Sequence, residues 1–307
     1  MKYLNAHFKM VEEKLEFPKE AVELFEEIAQ KIEKSKSFSK RFDATLEKYM
    51  TPKAHDFGGM CDDMKKLAFC FRVKEYSLTI VWLIVASERV LELYKEKGID
   101  EKIYWDSMMD LKYKFKECVD CKEVYGTFVG HWYTGFYELN RFALGRFQFE
   151  NSTFGVKDEF VTSAGVTIKK GDKTVGFHIP SSGVPLTDDI RLDAYKKAYE
   201  FFKDQRREDG LLIFECGSWL LYEGNREILP EKSNTIKFLN DFEIIESKPK
   251  DKFTDAWRVF GKYGYKSAKY WPEDSSMRKA FKTHVLNGGK TGSGHGVIVF
   301  DGEKIVR

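Results

Sequence analysis

The chain has 307 residues, enough for about two domains of ordinary size. With 42% hydrophobic residues, 33% charged residues and a formal net charge of +2, it has the balance of a globular protein and no basic field for nucleic acid. Five cysteines, an odd number in a chain this long, exclude a disulfide framework of the small secreted kind.

Met1 leads directly into mixed-charge sequence, and the longest apolar run, residues 78–86, is far shorter than the ~20 residues of a membrane span. The expectation is a cytoplasmic protein with neither membrane nor nucleic acid as partner. An aromatic share of 15%, with 26 phenylalanines, predicts ring-rich cores.

In chain order, residues 1–125 read as helices. Pro18 suits the start of a helix whose stripe is Val22, Phe25, Ala29 and Ile32. The basic stretch at 34–41 (KSKSFSKR) reads as the solvated end of one helix and the start of the next. Phe38, Phe42, Leu46 and Tyr49 then repeat until Thr51-Pro52 breaks the pattern. Met60, Met64, Leu67 and Phe71 make a third stripe, with the methionines as gap-filling core.

Residues 76–97 are apolar nearly all round at their start and predict a buried helix stopped by Gly98, and residues 101–124 make a fifth helix. Cys118 and Cys121 form a lone CxxC in it, with no second pair at zinc-site spacing. They read as small core residues, with a redox or metal role as the alternative.

Beyond Gly126 the texture changes. An aromatic segment at 130–141 leads into residues 146–150 (RFQFE), which alternate with period two. Residues 161–168 and 174–179 flank a turn at Lys170-Gly171-Asp172 and predict a hairpin. Thr187 is the expected N-cap of a helix running to about Arg206, and 211–216 is an apolar run of buried-strand type. Ser233 or Asn234 caps a helix through Phe242, and 243–247 and 257–260 read as two more strands.

A last helix at 275–286 ends in the glycine-rich stretch 288–296 (GGKTGSGHG), expected to turn into a closing strand at 297–300. Gly289-Lys290-Thr291 has the ending of a P-loop, but His284 stands where the first glycine belongs and the segment follows a helix, which excludes that motif. The predicted fold class is α+β, with a helical domain over residues 1–130 and a mixed β-sheet flanked by helices over residues 131–307.

This order matches the core of the GNAT fold. Residues 144–150 (LGRFQFE), 177–183 (FHIPSSG) and 218–221 (SWLL), the pair Ser233-Asn234, and residues 258–261 (RVFG) resemble a bacterial family of two-domain acyltransferase-like proteins. In that family a helical N-terminal domain precedes a GNAT-like C-terminal domain. The resemblance covers nearly the whole chain. It implies transfer of an acyl group from coenzyme A, as acyl-CoA, to a small amine without a covalent intermediate.

Most GNATs bind the coenzyme A pyrophosphate on an Arg/Gln-x-x-Gly-x-Gly/Ala loop at a helix N-terminus. This chain departs from that pattern. Ile179, Ser181, Ser182 and Gly183 take the cofactor-binding position, and Asp188 and Asp189 open the following helix. The departure keeps a second reading open, a non-catalytic ligand-binding protein on a GNAT-like shell.

Acyl transfer to an amine requires a base, stabilisation of the developing oxyanion and a way for the thiolate to leave. His178, ending the strand before the loop, is the candidate base because imidazole titrates near neutrality without help, with a structural hydrogen bond as the alternative. Glu150 closes an otherwise apolar strand as a second candidate base or amine ligand, with a solvated strand-end charge as the alternative. Arg146, four residues earlier, shares its face and is expected to pair with it or to bind substrate.

Cys216 lies on the strand expected beside that of His178, where a Cys–His pair would open a covalent route, and a small buried hydrophobe is the alternative. Ser218 and Trp219 are expected to border the cleft as substrate-binding residues, with core packing as the alternative for Trp219. No metal ligands are expected.

Overall fold

A computed structural model describes residues 1–51 and 56–307, which divide into two compact units, Met1–Phe142 and Ala143–Arg307. The first unit is helical: α1 (Ala6–Leu15), α2 (Lys19–Lys34), α3 (Lys36–Tyr49), α4 (Phe57–Phe71), α5 (Glu75–Glu96), α6 (Glu101–Lys122) and a short α7 (Thr134–Tyr137). Side-chain caps start several of these helices. Asn5 accepts from the Phe8 amide, Ser35 from Phe38 and Asp56 from Gly59, each satisfying a donor that the helix itself leaves orphaned.

Helix α5 packs against α1, α2, α4 and α6. It buries Leu78, Ile80, Val81, Trp82, Leu83 and Ile84, which is why its sequence is apolar all round. The Trp82 indole N–H donates to Thr45 Oγ1 at 2.9 Å, so the largest core ring is buried without an orphaned donor. Helix α1 adds to the five helices read from the sequence. The expected break at Thr51-Pro52 has its proline outside the described residues.

The strand β1 (Arg141–Leu144) spans the boundary, and the second unit continues with β2 (Phe147–Thr153), β3 (Glu159–Val161), β4 (Thr167–Lys169), β5 (Lys173–His178), α8 (Asp188–Phe201) and β6 (Leu212–Ser218). After these come α9 (Asn225–Ile228), α10 (Asn234–Asn240), β7 (Glu243–Lys250), α11 (Ala256–Phe260), α12 (Ser276–Leu286) and β8 (Thr291–Phe300). Six strands form one sheet in the order β1-β2-β5-β6-β8-β7, while β3 and β4 pair separately. The strands β5 and β6, joined through α8, run parallel; β2–β5, β6–β8 and β7–β8 are antiparallel.

The pleat sends alternate side chains to opposite faces. On one face Phe147, Phe149, Phe177, Phe214 and Phe300 meet Tyr195 of α8 and Phe238 of α10, with Phe147 and Phe177 only 4.4 Å apart and Tyr195 and Phe214 at 5.6 Å. Part of the phenylalanine-rich composition is absorbed there, and part in the helical unit, where Phe8, Phe25, Phe38 and Phe42 are buried. On the other face, Ile213, Val297, Val299 and Ile245 pack with Phe154 and with Ile168 of the small β3–β4 ribbon.

Three local expectations are corrected. Residues 257–260 are helical within α11, not a strand. A four-residue apolar run carries too little period to separate the two states. The strands at 161–168 and 174–179 do not form a hairpin: β4 pairs with β3, whereas β5 pairs with β2. Residues 292–296, read as a turn before the last strand, are themselves strand, since β8 begins at Thr291. Its glycines answer a close approach, because a Cβ on Gly294 would lie 1.9 Å from the Leu221 carbonyl oxygen.

Candidate active site

The strands β5 and β6 pair through Val175–Phe214 and Gly176–Glu215. Beyond that point each stays paired to its outer neighbour, His178 with Gln148 of β2 and Ser218 with Gly294 of β8. His178 thus ends β5 two residues past the last β5–β6 pair, where the sheet opens.

Alternation places Glu150, Gly176, His178, Glu215 and Gly217 on the face opposite the phenylalanine core. Glu150 Oε1 and His178 Nε2 are 2.8 Å apart, with side chains 21% and 29% exposed. Glu150 reaches its partner by leaning over Gly176, where a Cβ would lie 2.9 Å from the Glu150 Cγ.

A second pair mirrors the first across the opening. Glu215 Oε1 and His295 Nε2 are also 2.8 Å apart, and Thr174 Oγ1 donates to Glu215 Oε2 at 3.0 Å. His295 leans over Gly217, where a Cβ would lie 3.2 Å from its Nδ1. Each arm therefore carries a carboxylate–imidazole pair tilted across a glycine toward the opening. A carboxylate on one imidazole nitrogen fixes the tautomer and the orientation of the ring.

The sequence-based candidates separate in space. His178 and Glu150 come together. Cys216, one residue on from the Glu215 level, points to the opposite face and is 2% exposed, so the expected Cys–His pair is not formed. Burial pushes its thiol pKa upward, away from the thiolate a nucleophile needs.

Arg146 was linked to Glu150 by strand parity. It lies ahead of β2 and donates to the Val184 and Pro180 carbonyls at 2.7 and 2.9 Å, bracing the loop after His178. Within that loop Ser182 Oγ accepts from the Val184 amide, Ser181 and Gly183 are exposed, and Ile179 is half-buried. Ser218 caps the turn after β6 by accepting from Leu220 at 3.2 Å, and Trp219 packs between Phe253 and Phe281.

Glu215 and His295 were missed. The only signals were a lone carboxylate in an apolar strand, residues 211–216 (LLIFEC), and a histidine in a segment taken for a turn. Among the described residues, no three His, Cys, Asp or Glu side chains are placed to hold a metal ion. No helix among them is long and apolar enough to cross a membrane.

The GNAT-like C-terminal domain family matches residues 141–298, just over half of the 307-residue chain, and the N-acyltransferase N-terminal domain family matches residues 7–139. The chain belongs to this two-domain acyltransferase family. The GNAT-like domain therefore holds the opened β5–β6 edge and both Glu–His pairs.

The fold is shared with solved acyltransferases. One, in complex with decanoyl-CoA and teicoplanin, is 19% identical, with a TM-score of 0.70 over 95% of this chain and 87% of the other. Another, in complex with CoA and 10C-teicoplanin, is 18% identical, with a TM-score of 0.69 over the same shares. A third, in complex with decanoyl-CoA, is 19% identical, with a TM-score of 0.63 over 94% and 98%. No curated protein matches the chain.

Proposed function

We propose that this protein transfers an acyl group from an acyl-CoA directly to a small amine, with His178 as general base and Glu150 as the residue that orients it. The observation that carries this reading is the Glu150–His178 hydrogen bond at the point where β5 and β6 part on a GNAT-like domain. Acyl-CoA as donor is supported by acyltransferases of the same fold in complex with CoA and decanoyl-CoA.

Ile179, Ser181, Ser182 and Gly183 are the proposed coenzyme A contacts, on the loop that leaves His178 for the N-terminus of α8. The Asp188 carboxylate at that helix start is offset by Arg191 at 3.1 Å and Lys237 at 3.6 Å, which lessens its repulsion of a phosphate. Ser218 and Trp219 are proposed to border the acyl or pantetheine side of the opening, and Arg146 holds the loop by its carbonyls.

In this scheme the amine nitrogen bonds to the thioester carbonyl carbon and passes its proton to His178, and the C–S bond breaks. Release of free thiol from octanoyl-CoA in the presence of a panel of primary amines measures the reaction. His178→Gln, which keeps an N–H for Glu150 but removes the base, should lower kcat/KM by about 10²-fold, and Glu150→Gln by about 10-fold. Cys216→Ala should stay within about twofold of the parent; a loss matching that of His178→Gln would mean a covalent route and end the direct one. A binding protein on the same shell is the second reading, favoured by the acidic start of α8, and it expects no thiol release with any amine.

A further inference from the structure

The acyl-transfer scheme uses one of the two Glu–His pairs. We propose that His295, held by Glu215, is the general acid that protonates the departing thiolate of the acyl donor, an inference that rests on the acyl-transfer reading above. Three features of the pair carry it.

First, Glu215 is committed to holding His295. Its side chain is 9% exposed, one oxygen meets His295 Nε2 at 2.8 Å and the other accepts from Thr174 at 3.0 Å. A carboxylate so placed accepts from the imidazole whether the ring is neutral or protonated, so it orients the ring without competing for the substrate.

Second, the ring is aimed. His295 Nδ1 lies above Gly217, an exposed glycine on the β6 side of the opening, and a methyl group there would come within 3.2 Å of it. With Nε2 on Glu215, Nδ1 is the nitrogen left for a ligand.

Third, the two histidines stand on opposite sides of the opening, with nearly equal exposure, 29% for His178 and 26% for His295. His178 is the last residue of β5, on the arm opposite β6. His295 lies in the middle of β8, next to Gly294, over which the turn at Leu221 closes. Ser218 and Trp219, which follow Gly217 of β6, border the side proposed for the pantetheine arm, so His295 is the imidazole on the side of the departing sulfur.

The step balances. The amine nitrogen bonds to the acyl carbon and its proton goes to His178; the C–S bond breaks with its electron pair on sulfur; the His295 imidazolium proton caps that sulfur as a thiol. His178 then loses a proton to solvent and His295 regains one, leaving amide and free thiol.

Two donors test this. His295→Gln retains an N–H for Glu215 but has no acid proton. It should lose about 10²-fold in kcat/KM with octanoyl-CoA, yet less than about threefold with 4-nitrothiophenyl octanoate, whose thiolate leaves without protonation. His178→Gln should lose about as much with either donor. Equal losses for His295→Gln on both donors, no loss on octanoyl-CoA, or a donor-dependent loss in His178→Gln instead would each overturn the assignment while the parent reading stands. If the parent protein releases no thiol from octanoyl-CoA with any amine, both readings fall together.

Should His295→Gln not fold, the parent protein still decides the matter. Its His295 ring NMR signals should shift on titration with coenzyme A, and less with desulfo-coenzyme A. Signals that ignore the sulfur would overturn the proposal.

Discussion

Two glycines do as much for the site as the side chains that would react. Gly176 lets Glu150 cross β5 to reach His178, and Gly217 leaves room for His295 on β6. At Gly176 the approach is the tighter one, 2.9 Å from a Cβ position to Glu150 Cγ, and below 3 Å something must move. Gly176→Ala should push the carboxylate off the imidazole. The expected outcome is a loss of about 10-fold in kcat/KM, similar to that of Glu150→Gln, with helical and sheet circular dichroism retained. Activity equal to that of the parent would mean that Glu150 does not position His178. The same logic explains Cys216. Strand parity, not distance along the chain, sends it into the phenylalanine core, where a thiol is one more small hydrophobe.

Among the helices, α1 carries a charge where a core residue is expected. The Glu12 side chain is 4% exposed, and its nearest cation, Lys9 Nζ, is 3.6 Å away. Burial outweighs that cation and pushes the carboxyl up to about 7. The folded value lies above the 4.5 of the unfolded chain, so the fold is favoured fully below pH 4.5 and loses that contribution as pH rises to about 7. Glu12→Gln removes the titration. It should raise the melting temperature at pH 8, by the equivalent of about 1–3 kcal/mol, and have little effect at pH 4. Thermal melts at the two pH values check this, and an equal shift at both would assign the effect to packing instead.

For the molecule as a whole, ligand linkage is the broadest test. Coenzyme A at 100 times its Kd should add about 2.7 kcal/mol to the unit that binds it, a rise of about 5 °C in a protein of this size. Ser182→Asp in the 179–183 loop, by adding a charge beside the proposed pyrophosphate position, should abolish most of that rise while leaving the unliganded melting temperature within about 1 °C. A melting curve unmoved by millimolar coenzyme A would remove it from the proposed function.

Much of the architecture is written locally. The all-round apolar start of α5, the stripes of α2 to α4, the alternation of β2 and the caps at Ser35 and Ser233 follow from periods and propensities that act over a few residues. The α+β order, and with it the GNAT-like fold, could be read from those signals together with the family resemblance. His178 does end its strand, as its sequence suggests, whereas Glu150, read as closing a strand, lies in the middle of β2, which continues to Thr153.

The rest depends on which strands become neighbours. Whether 174–179 pairs with 161–168 or with 147–153 is a choice between long-range registers, and neither segment encodes it alone. Gly294 is glycine because of a carbonyl from residue 221, far away in sequence, so the segment imitates a turn. Glu215 and His295 are 80 residues apart and become a pair only when β6 and β8 lie side by side. Local patterning can mark which face a residue will occupy; what it meets there is set by register, and register is a property of the assembled sheet.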